Sequence, residues 1–72
     1  MQVFIVSRGE THEGSRVKGV FSSIENARAF AKGMREEMSA DFHWRTEPWV
    51  ELAPDYWEFE CDFVTIATHE VQ

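Results

Sequence analysis

Cysteine is almost missing from this chain: Cys61 stands alone, so no disulfide can form within one molecule. A single cysteine without a secretory leader fits a reducing, cytoplasmic setting. Long apolar runs are missing too. The opening run Val3–Val6 is four residues, against the roughly 20 that a membrane span needs. No membrane partner is expected. Catalytic signatures are equally scarce. Gly9 and Gly14 bracket an acidic loop rather than a phosphate cradle, and Gly19 falls inside a strand pattern. There is no nucleophile elbow and no metal-binding histidine pair on a helix. The reading is therefore of a protein that is not an enzyme, with no metal and no cofactor.

Basic residues are missing from one half only. Residues 1–40 carry six bases against five acids, whereas residues 41–72 carry Arg45 alone against eight acids. The whole excess behind the net charge of −6 lies in the second half. Such a field repels nucleic acid and attracts basic protein surfaces.

What is present favours folding. The 72 residues make one small domain, 43% hydrophobic and 14% aromatic, well above what a disordered acidic tail carries. Val3–Val6 reads as a strand buried on both faces, and the polar segment 9–15 as a hairpin loop. A second strand follows over about Arg16–Phe21, where Gly19 marks a bulge or a close helix approach. Ser22 and Glu25 have the spacing of a capping box. From there Ile24, Ala27, Phe30, Ala31, Met34 and Met38 recur at helical spacing, with Ala29 and Gly33 leaving a narrow groove beside that stripe.

After a connector over 42–48, Trp49–Leu52 reads as a short strand and Ala53-Pro54-Asp55 as a turn. Tyr56–Cys61 alternates, with Trp57, Phe59 and Cys61 on one face, and Phe63–Val71 closes the chain as a strand. The order ββαββ(β) predicts an α+β fold, an antiparallel sheet of four to five strands with one amphipathic helix packed on one face. The other face is expected to carry Trp, Tyr and acids, partly open to water.

Isolated chemistry-bearing residues have plainer readings. His12, His43 and His69 fall in different elements, unlike the tight spacings of zinc sites. Acids flank Cys61 and no base lies near it in sequence to favour a reactive thiolate, so it reads as a small core residue. Glu58 and Glu60 share a strand face near glycosidase spacing, but a chain this short leaves little room for a substrate cleft. The interleaving of Trp, Tyr and Phe with acids over 44–63 is the more informative pattern, because Trp and Tyr dominate interface hot spots. Glu47, Trp49, Glu51, Asp55, Trp57, Glu58 and Glu60 are the candidate partner-binding residues.

Val3-Phe4-Ile5-Val6, the loop at Gly9-Glu10, Gly19-Val20-Phe21-Ser22-Ser23 and Glu25-Asn26-Ala27-Arg28-Ala29-Phe30 together resemble short proteins encoded by bacteriophages and prophages. In these a hairpin runs through a GVFSS segment into an E-x-A-x-x-F helix. The resemblance covers about half the chain and carries over no functional residue. It implies a phage-type inhibitor, anti-CRISPR-like, that binds a host defence or nucleic-acid-processing protein through its basic surface, without contacting nucleic acid itself. The alternative is a homo-oligomeric protein that binds or sequesters a nucleotide or similar small molecule, with Arg8, Arg16, Lys18 and Arg28 on its phosphates. Homodimer formation is left open.

Overall fold

The computed structural model of the chain describes residues 1–39, 49–59 and 61–71. The expectations for Trp44, Glu47, His43 and Glu60 lie outside the described residues. The amino-terminal apolar run extends into β1 (Gln2–Glu10), which pairs antiparallel with β2 (Gly14–Phe21). The hairpin loop is shorter than the polar segment implied, only residues 11–13. His12 and Gly14 take positive φ there, at 78° and 85°. Gly9, expected in the loop, is instead buried within β1, between Ser15 and Phe63 on its two neighbours. The β-bulge falls at Lys18, where Val6 pairs with Gly19 but Ser7 with Val17.

Helix α1 (Ile24–Ser39) starts one residue later than the capping-box reading. Ser23, not Ser22, is the cap: its hydroxyl oxygen accepts from the Asn26 N–H at 3.3 Å and donates to Glu25 Oε2 at 2.8 Å. That geometry satisfies a helix-end donor which otherwise has no partner. Ala27 and Ala31 are fully buried and bring the helix against Val6, Val64 and Ile66. Burying a side chain such as Val6 or Val64 is worth roughly 1.5–3 kcal/mol.

The acidic half supplies β3 (Val50–Ala53), β4 (Tyr56–Phe59) and β5 (Asp62–Glu70). Pro54 and Asp55 form the β3–β4 turn, and Asp55 has φ 60°, the sign a type II turn requires at its second central position. The sheet order is β2-β1-β5-β4-β3, antiparallel throughout. β1 and β5 pair over nine residues, from Gln2↔Glu70 to Glu10↔Asp62, so the first and last strands meet inside the sheet.

Three side-chain placements differ from expectation. Cys61 is exposed rather than in the core, because β4 ends at Phe59 and Cys61 lies in the turn to β5. Trp57 faces the helix and packs on the core together with Trp49, so the helix-free face does not carry those indoles. Val3 and Ile5 are only partly buried, since the helix covers the Phe4–Val6 side of β1 alone. Among the described residues no helix is long and apolar enough to cross a membrane.

Candidate functional site

A groove of about 790 Å³ opens between α1 and the sheet. Phe30, Gly33, Met34, Glu37 and Met38 form its helix wall, a single helical face by their spacing. Arg8, Glu10, Lys18 and Asp62 form its sheet wall. The helix runs close to the sheet at Ala27 and Ala31, but a Cβ on Gly33 would meet nothing within 4 Å. Ala27 and Ala31 are fully buried, while the longer Met34 and Met38 are partly buried and pack against the same core. A second hollow of about 420 Å³ adjoins the groove, sharing Arg8, Glu10 and Lys18 and adding Arg16, Glu13, Gly14 and Ser15.

The charges around this space are sorted by strand register. Arg8 stands directly opposite Arg16, and Glu10 directly opposite Asp62. Like charges in cross-strand register each cost about 0.2–1 kcal/mol. Among the described residues, the ion pairs are Met1–Glu70 and Arg28–Asp55, and neither involves Arg8, Arg16 or Lys18. The site is thus a row of three bases beside a row of carboxylates, with an apolar helix wall above both.

The residues singled out from the acidic half are divided between two sides of the sheet. On the helix side, the Trp49 indole N–H donates to the Arg35 carbonyl at 3.1 Å, and its ring meets Phe59 edge-on at 5.6 Å. The Arg35 guanidinium sits 3.8 Å over the Trp57 ring. Asp55 accepts two hydrogen bonds from Arg28, at 2.9 and 3.2 Å. These bonds, and then the Asp55 charge, hold the Arg28 pKa above its ordinary value. Burial lowers that of Arg35, opposed by the nearby charges of Glu51 and Glu36. Asp55 and Glu51 therefore compensate arginines of the first half. Glu58 lies on the other side, in register with Phe63, whose ring stacks on Tyr56 at 5.9 Å.

Of the four bases expected to contact phosphate, Arg8, Arg16 and Lys18 come together and Arg28 does not. Their convergence was half visible in the sequence, since Arg8 and Arg16 flank one hairpin. The acids Glu10 and Asp62 were not grouped with them, because only the β1–β5 pairing brings Asp62 there. His12 and His69 are exposed in separate places, and the described residues hold no group of three metal-ligating side chains. Searches with this sequence and structure match no family model, no curated protein and no solved structure.

Proposed function

We propose that this chain is a non-catalytic binding protein that holds a small amphipathic anion, such as a nucleoside monophosphate, in the groove between α1 and β1. The observation that carries this reading is the Arg8–Arg16–Lys18 row, which has no ion-pair partner among the described residues and borders an apolar wall. A ligand phosphate meets those bases. A base or comparable ring packs on Phe30, Met34 and Met38, and hydroxyl or amino groups donate to Glu10, Glu37 and Asp62. The groove's size falls within the range of small-molecule sites, about 300–1,000 Å³. Its carboxylates limit the charge it takes, which favours one phosphate over a polyanion.

Titration calorimetry with AMP, adenosine and inorganic phosphate tests this. AMP is expected to bind at least tenfold more tightly than either fragment, and Arg8→Gln to lose most of that affinity. Equal, weak responses to all three would sink the reading.

A second reading, the phage-type inhibitor of a host nucleic-acid-processing protein, draws on a different observation. Among the described residues β3 is a sheet edge, and its four residues are all exposed, including Glu51 and the apolar Val50 and Leu52. An open edge is a template for strand addition by a partner. Affinity capture from host lysate at low and high salt, beside Glu51→Lys, separates the two. A basic protein held only by the unmodified chain supports inhibition; equal retention by both counts against it.

A further inference from the structure

We infer that the helix-free face of the sheet is the contact surface for a second copy of this chain, packed sheet against sheet. Strand register puts Val3 and Ile5 of β1, Val17 and Val20 of β2, and the stacked Tyr56 and Phe63 on this face. Among the described residues no helix covers it, because α1 packs on the opposite side against Val6, Val64 and Ile66. Val17 and Val20 are 60% and 58% exposed.

Charge distribution argues for a second copy over a basic partner. The chain carries −6 overall, yet Glu58 is the only charged side chain that the strand register places on this face among the described residues. A basic protein would find almost nothing here to pair with. Two copies can approach through this face with little like-charge repulsion. A two-fold contact of this kind needs one self-complementary patch, and a sheet face with several apolar side chains and a single charged one meets that condition.

Area is consistent with this occupant. Strand spacings of about 4.8 Å and rises of about 3.3 Å per residue give roughly 500 Å² of sheet plane per copy. Two copies bury about 1,000 Å², the lower bound for a specific interface, so the dimer is expected to dissociate at micromolar concentrations. A second chain also adds stability to the fold, as it commonly does for domains of this size. The inference is independent of the groove, which opens on the other side of the sheet.

Sedimentation equilibrium from 1 to 200 µM tests it, on the unmodified chain, on Val17→Glu/Val20→Glu and on Lys32→Glu. Val17 and Val20 are exposed in the single chain, so the double variant leaves the monomer folded, as circular dichroism would verify. A monomer–dimer equilibrium in the unmodified chain and in Lys32→Glu, with dissociation raised at least tenfold in the double variant, is the expected result. A chain that stays monomeric at 200 µM overturns the inference. So does a dimer indifferent to Val17→Glu/Val20→Glu, which would place the contact elsewhere.

Discussion

Arg8 and Arg16 face each other directly across the β1–β2 ladder, with no acidic partner within ion-pair distance among the described residues. Two like charges in register oppose folding, so the pair is stable only because the hairpin is held by other contacts. Replacing Arg16 by Gln should raise stability by a few tenths up to about 1 kcal/mol while weakening anion binding. Thermal denaturation in low salt, with and without AMP, reads both effects. A variant that loses stability would show that the pair is not repulsive.

The Arg28–Asp55 bridge ties the helix to the β3–β4 turn. Arg28 is largely exposed, so solvent screening keeps the worth of the bridge small. Asp55→Asn should therefore cost little, because Asn also tolerates positive φ. Asp55→Val should cost more, since a β-branched residue at φ 60° is strained. Chemical denaturation of the two variants orders them; equal losses would assign everything to charge.

Gly9 leaves the room in which Phe63 lies. A Cβ there would come within 2.6 Å of Phe63 Cζ and 2.8 Å of Ser15 Cβ. Gly9→Ala should destabilise by about 1–3 kcal/mol, the usual cost of overpacking. It should also disturb the Tyr56–Phe63 stack, seen as changed ring-current shifts of Tyr56. Unchanged Tyr56 resonances would show that the ring finds another place.

The Ser23 cap makes a pH-dependent prediction. Its hydroxyl bond, then the backbone bond, lowers the Glu25 pKa. The carboxylate's contribution is therefore complete above its unfolded value of about 4.3, and is lost as pH falls through the lower folded value. Ser23→Ala should cost about 1 kcal/mol near neutrality, and the difference from the unmodified chain should shrink in acid. The corresponding Ser22→Ala change should be near neutral. Urea titrations at pH 7 and pH 3 compare them, and a larger effect at Ser22 would contradict the observed cap.

Local signals carried the sequence a long way. The helix was legible because Ile24, Ala27, Ala31, Met34 and Met38 repeat at its period, and the β3–β4 turn because Pro54-Asp55 has turn chemistry. The cap was misplaced by one residue, since Ser22 and Ser23 are chemically alike and only the chain's path from Phe21 distinguishes them. The acidic half looked like one patch because charge was read along the chain. In space Asp55 and Glu51 lie beside Arg28 and Arg35, residues more than ten positions away.

The sequence by itself determined the elements, their amphipathic faces and their antiparallel hairpins, since these follow from neighbours a few residues apart. Tertiary structure alone decided that β1 and β5 pair in the sheet interior. That pairing brings Asp62 to Glu10, sets the Phe63 ring on Gly9 and gathers the groove's charges. The reason is physical: register between distant strands depends on how the whole apolar surface is buried at once, and no local stretch of sequence encodes it.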